Sequence, residues 1–131
     1  MRFSRFLVLA VLLAAPFVSL SGAAENHILV HGHRGARARR PENTIPAFKY
    51  AISEGVAVLE LDLAVTKDNV LVVSHDPMIN DKICSGGPTG VAIHTLTLAE
   101  VKKYDCGSKR NPLFSTQIPV PGTTIPTFDE V

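Results

Sequence analysis

The run Val58-Leu59-Glu60-Leu61-Asp62-Leu63-Ala64-Val65 constrains this chain more than any other stretch. Leucines and valines alternate with Glu60, Asp62 and Ala64, which is the period of a β-strand. The alternation puts both carboxylates on one face, about 7 Å apart at the usual rise per residue. The leucines take the other face and suit packing on helices. A solvent-facing antiparallel strand would show the same pattern. The neighbouring segments favour a strand–helix–strand unit, whose sheet is expected to be buried on both sides. Two acidic groups turned into such an interior are costly unless they are paired or metal-bound.

Upstream, Ile28–His31 reads as a short buried strand ending at Gly32. His33 and Arg34 follow in a loop between Gly32 and Gly35, glycines that allow close backbone approach to a ligand. His31 reads as a hydrogen-bonded interior histidine more readily than as a third site residue. Pro41-Glu42-Asn43-Thr44 closes the loop, with Asn43 or Thr44 as helix N-cap. Ile45, Phe48 and Ile52 recur at helical spacing and predict a core-facing helix over Ile45–Glu54, stopped by Gly55. Downstream, Thr66-Lys67-Asp68-Asn69 is a turn. It forms a hairpin with the strand Val70–Ser74 and returns His75 towards the carboxylates.

Residues 77–95 are rich in Gly, Pro, Asp and Ser and read as irregular. Thr97 with Glu100 makes a capping box and Leu96 with Val101 a hydrophobic staple, predicting a short helix to about Tyr104. Residues 105–124 form a Pro-rich loop. Thr127 with Glu130 repeats the capping box just before Val131. A helix that has only begun cannot hold itself, so the sequence reads as an N-terminal piece of a longer protein. Cys84 and Cys106 match no zinc spacing. A disulfide and two free thiols both remain open for them.

Residues 1–24 read as a signal peptide: Arg2 and Arg5, an apolar run Phe6–Leu20, then Ser21-Gly22-Ala23-Ala24. The apolar run has 15 residues, short of the roughly 20 that a spanning helix needs. The expected mature form has no stable membrane span and is periplasmic or secreted. Removing the signal takes Arg2 and Arg5 from 13 Lys and Arg, leaving 11 against 12 Asp and Glu, a formal charge of −1. That balance argues against a nucleic-acid partner, which requires a net basic footprint. Arg37, Arg39 and Arg40 read as a solvated basic loop.

Two histidines, two carboxylates and an arginine are the parts of a metal-assisted acid/base site for an anionic substrate. The motifs His33-Arg34-Gly35-Ala36, Pro41-Glu42-Asn43-Thr44, Glu60-Leu61-Asp62, Thr66-Lys67-Asp68 and His75-Asp76 resemble, in order and spacing, the glycerophosphodiester phosphodiesterase family. The likeness continues through Leu96–Glu100 and Ile125–Thr127 and covers nearly all of residues 25–131. It implies an α/β fold of TIM-barrel type, of which this chain holds the N-terminal portion. Residues 77–124 look like the small insertion that follows the family's second strand. It implies hydrolysis of a small glycerophosphodiester to an alcohol and glycerol 3-phosphate, with Ca²⁺ or Mg²⁺ as cofactor. His33 matches the proton acceptor and His75 the proton donor. Glu60 and Asp62 match metal ligands, and Arg34 matches the residue that grips the substrate phosphate. Glu42 is expected to orient Arg34, to sit behind the metal ligands, or simply to favour the start of the helix through its dipole. The family's third metal-binding glutamate has no match here, which sets a limit on metal affinity. A phospholipase D-like lipid phosphodiesterase would present the same site. An incomplete, inactive module is the alternative from a different class.

Overall fold

A computed structural model describes residues 28–131. The expected signal peptide, residues 1–24, lies outside the described residues. Strand β1 (His31–Gly32) runs parallel to β2 (Val58–Leu59), with His31 opposite Val58. Helix α1 (Ile45–Ser53) connects them, which is the strand–helix–strand unit that the pattern predicts. Thr44 is its N-cap: the backbone is extended and the hydroxyl accepts the Ala47 N–H at 3.4 Å. Pro46 falls in the first turn, where no N–H is required. Gly55, at φ +74°, follows the C-cap Glu54.

The loop glycines serve packing rather than ligand approach. A Cβ on Gly35 would stand 2.8 Å from Ala47 Cβ, and one on Gly32 would stand 2.7 Å from the Gly35 carbonyl oxygen. Helix α1 therefore settles directly on the loop through Ala47, Phe48 and Ala51, all buried. Ile52 was expected on this face but is 62% exposed. The buried stripe runs through Phe48 and Ala51, and the residue after Ala51 is rotated about 100° away from it.

The Val58–Val65 run does not form one strand. It ends as β2 at Leu59 and resumes as β3 (Leu63–Val65), which pairs antiparallel with β4 (Leu71–Val73). Glu60-Leu61-Asp62 crosses from one two-stranded sheet to the other. Its backbone is bonded throughout: the Glu60 N–H donates to Gly32 O at 3.0 Å, Glu60 O accepts the Gly35 N–H at 3.2 Å, and Asp62 O accepts the Ser74 N–H at 2.9 Å. The change of partner, from parallel β1 to antiparallel β4, breaks the strand. The expected double-sided burial is also absent among the described residues. Leu63 and Val65 are exposed, and Ile28–Val30 stand in solvent rather than forming a buried strand. Each sheet has two strands among the described residues, and burial is one-sided: Val72 and Val73 of β4 are buried, and the Val73 N–H donates to Pro126 O at 2.9 Å. The hairpin turn forms as predicted, with Asn69 at φ +62° and the Thr66 hydroxyl accepting the Val70 N–H.

The main apolar cluster lies beneath the segment that follows β4. Val72, Ile79, Ile93, Val101, Tyr104 and Ile125 pack together there. Cys84 and Cys106 form a disulfide within this cluster. Closing such a loop stabilises by about 3 kcal/mol in the chain-entropy model. Helix α2 (Leu98–Val101) carries the predicted capping box of Thr97 and Glu100. It stops short of Tyr104, and the chain continues in tighter turns, with the Tyr104 N–H bonded to Val101 O. The Tyr104 ring packs under Gly87 and its hydroxyl donates to Pro88 O at 2.8 Å. After Thr127 the chain makes one 3₁₀ turn, Phe128–Glu130, with Glu130 accepting the Thr127 N–H. No helix among the described residues is long and apolar enough to cross a membrane.

Candidate active site

The turn out of β1 places Arg34 at φ +52°, in the left-handed region that bulky residues avoid. Bonds on several sides hold it there. Its N–H donates to Glu60 Oε2 at 2.8 Å, and its carbonyl accepts the Asn43 N–H at 3.0 Å. Its Nη1 donates to Glu42 Oε1 at 2.7 Å, and Nε lies 3.3 Å from Asp62 Oδ2. The Arg34 side chain is 12% exposed. The expected grip of Arg34 on a phosphate is therefore narrowed: Nη1 donates to Glu42, Nε is buried against the Asp62 carboxylate without a hydrogen bond, and Nη2 makes no hydrogen bond among the described residues.

Asn43, at φ +54°, occupies a second left-handed position, which asparagine tolerates better than most residues. Its amide donates to Asp62 Oδ2 at 3.0 Å. Asp62 is thus held by Asn43 and Arg34 through one oxygen, as Glu60 is held by the Arg34 N–H through one oxygen. The other oxygen of each carboxylate makes no hydrogen bond among the described residues. His33 Nε2 stands 3.8 Å from Glu60 Oε2, with the ring 59% exposed.

The hairpin brings His75 to the same region, because the preceding residue, Ser74, is bonded to Asp62 O. A cleft of about 320 Å³ is lined by His75, Asp76, Arg34, Glu42 and Asn111 among others. His75 Nδ1 lies 2.8 Å from Asp76 Oδ1. Burial alone would raise the Asp76 carboxyl pKa. The hydrogen bonds from His75 and Asn80, with the charges of His75 and Arg34, outweigh this and hold it below the ordinary value.

The structure joins His33, Arg34, Glu42, Glu60 and Asp62 in one network and sets His75 in a cleft beside Arg34. His31 is exposed, against the expected interior position, and is hydrogen-bonded to none of these residues. Arg37 and Arg40 are not merely solvated. Arg37 Nη2 lies 3.3 Å from Glu42 Oε2 and its guanidinium sits over Phe114, while that of Arg40 sits over Tyr50. Sequence reasoning missed four participants: Arg37, Asn43, Asp76 and Asn111. Asn43 was legible as a residue type suited to a left-handed turn, and Asp76 as the neighbour of His75. Asn111 carried no local signal.

Four carboxylates, of Glu42, Glu60, Asp62 and Asp76, meet two guanidiniums here, so negative charge is in excess before any ligand binds. Two carboxylates with unused oxygens fit a hard divalent cation, which prefers oxygen and accepts one or two carboxylates together with substrate phosphate. No group of three or more His, Cys, Asp or Glu with metal-site geometry occurs among the described residues.

The model of the glycerophosphoryl diester phosphodiesterase family matches residues 33–131. A glycerophosphodiester phosphodiesterase of Caldanaerobacter subterraneus is 42% identical over 103 residues, covering 79% of this chain and 38% of that protein. A solved Silicibacter pomeroyi structure superposes with a TM-score of 0.74 at 30% identity, over 79% of this chain and 38% of that one. An Oleispira antarctica phosphodiesterase, solved with the product sn-glycerol 3-phosphate, superposes with a TM-score of 0.62 at 29% identity, over 77% of this chain and 37% of that one. The chain thus spans less than two fifths of the length of each. The fold is part of a TIM-barrel α/β architecture. With the family model matched over most of its length, the chain belongs to the glycerophosphoryl diester phosphodiesterase family.

Proposed function

We propose that the protein hydrolyses small glycerophosphodiesters to an alcohol and glycerol 3-phosphate, with His33 and His75 as its acid/base pair. The observation that carries the proposal is Arg34 locked against Glu42, Glu60 and Asp62, with His33 beside Glu60 and His75 in the cleft that Arg34 lines. A phosphodiester is an anion that repels nucleophiles, so the site has to neutralise charge before attack. Arg34 Nη2 is the donor left for a phosphoryl oxygen. Glu60 and Asp62 would hold Ca²⁺ or Mg²⁺, which when bound supplies charge neutralisation on the phosphoryl oxygens.

His33 takes the proton from the attacking hydroxyl, whether of water or of the substrate's own glycerol. Its exposed ring is open to that hydroxyl. His75 protonates the leaving alkoxide through Nε2, because Nδ1 faces Asp76. Histidine suits both tasks at neutral pH. Glu42 orients Arg34. Export is part of the proposal, on the signal-peptide pattern of residues 1–24.

The test is release of sn-glycerol 3-phosphate from glycerophosphocholine by the protein at its full natural length. Activity is expected to vanish in excess chelator and to return with Ca²⁺ or Mg²⁺. Turnover unaffected by chelation would overturn the metal-assisted reading.

A further inference from the structure

We propose, resting on the assignment of Arg34 to the substrate phosphate, that Asn111 is a positioning residue that acts through Glu42 to fix the Arg34 guanidinium. The Glu42 side chain is only 7% exposed, and both of its oxygens are engaged. Oε1 accepts from Arg34 Nη1 at 2.7 Å. Oε2 accepts from Asn111 Nδ2 at 3.1 Å and lies 3.3 Å from Arg37 Nη2. A carboxylate held at one oxygen can rotate about its side-chain torsions. Held at both, its plane is fixed, and so is the direction of the guanidinium bonded to it. Asn111 comes from the segment far along the chain from Glu42, so this contact ties that segment to the site.

The loop that carries Asn111 is anchored without the Glu42 contact. The Gln117 amide donates to Arg37 O at 2.7 Å and Arg40 O at 3.1 Å, and the Ile118 N–H donates to Arg39 O at 3.1 Å. Gln117 Oε1 accepts the Asn111 N–H at 2.7 Å. The two ends of the Asn111 amide have separate tasks. Oδ1 accepts the Leu113 N–H at 3.0 Å and holds the local turn, while Nδ2 alone reaches Glu42. Asn111→Asp keeps the shape and the acceptor for Leu113, and replaces the donor with an oxygen facing Glu42.

The test is the Kd for sn-glycerol 3-phosphate, measured by calorimetry on the protein at its full natural length between about pH 5 and about pH 8. Loss of one charge-assisted hydrogen bond predicts a Kd for Asn111→Asp about tenfold above wild type at the upper pH. The ratio narrows towards one at the lower pH, as the introduced carboxyl gains a proton and can donate to Glu42 again. In a Glu42→Gln background, Asn111→Asp adds no further loss; should Glu42→Gln fail to fold, the pH dependence of the ratio decides alone. A wild-type Kd for Asn111→Asp at the upper pH, or a weakening that is the same at every pH, overturns the proposal. Arg34→Ala is the control on the assignment beneath it. Unchanged affinity in Arg34→Ala defeats the phosphate role of Arg34, whereas weakening in Arg34→Ala beside a normal Asn111→Asp defeats the positioning role alone.

Discussion

Asp76 Oδ1 lies 2.8 Å from His75 Nδ1, while Asn80 bonds the other oxygen of the same carboxylate. The carboxylate is braced at both ends and the imidazole is fixed in one orientation, with Nε2 turned out as the working nitrogen. Asp76→Asn replaces the carboxylate that orients the ring with a neutral amide. If His75 is the proton donor, kcat falls by more than about tenfold, part of the range that acid/base catalysis contributes. Steady-state kinetics on glycerophosphocholine check this. An unchanged kcat would detach Asp76 from the chemistry.

Arg34 adopts a left-handed backbone at φ +52° although it is not glycine. Such a position costs an L-residue about 1–2 kcal/mol. Arg34→Ala and Arg34→Gly both lose the bond to Glu42, and both should be less stable than wild type. They differ in the backbone term. Arg34→Gly is expected to be the more stable of the two by about 1 kcal/mol, after allowing for the greater freedom of glycine in the unfolded chain. Urea unfolding midpoints measure the gap. Equal midpoints would show that the left-handed turn carries no strain.

What the residues disclosed beforehand follows the reach of each signal. Thr44, Pro46 and Gly55 act on their own backbone, so α1 was legible almost to the residue. The Thr97 and Glu100 capping box and the Asn69 turn are local in the same way. The break at Glu60-Leu61-Asp62 was hidden because the alternation runs through it unchanged. Only the exchange of β1 for β4 as partner, a relation in space, interrupts the strand. Arg37 and Arg40 looked like solvated charges because Phe114 and Tyr50, over which they sit, are distant or out of helical register with them. The candidate site was legible as residue types, since His33, Arg34, Glu60 and Asp62 lie in short motifs. Its wiring through Glu42 to Asn111 was not, because nothing near Asn111 points back along the chain.

Asp105 pins the loop that leads from the disulfide. The Ser108 hydroxyl acts most strongly on its carboxyl; burial works against it, and the N–H groups of Gly122, Gly107 and Ser108 add to the effect, bringing its pKa down to about 2. The fold therefore favours the ionised form. This stabilisation is complete above the unfolded value of 3.8 and is lost as pH falls through about 2. Asp105→Asn lacks the charge at every pH. The stability difference between wild type and Asp105→Asn should be constant above about pH 5 and shrink between about pH 4 and about pH 2. Urea titrations at several pH values follow it. A difference that stays the same down to the lowest pH would remove Asp105 from the acid response.

His33 and His75 carry the central claim. The most direct measurement is the rate at which sn-glycerol 3-phosphate appears from glycerophosphocholine, with Ca²⁺ or Mg²⁺ present, for His33→Ala and His75→Ala beside wild type at full natural length. Loss of a general acid or base predicts a fall of about 10²-fold or more in each variant. A wild-type rate in either one would contradict the two-histidine mechanism.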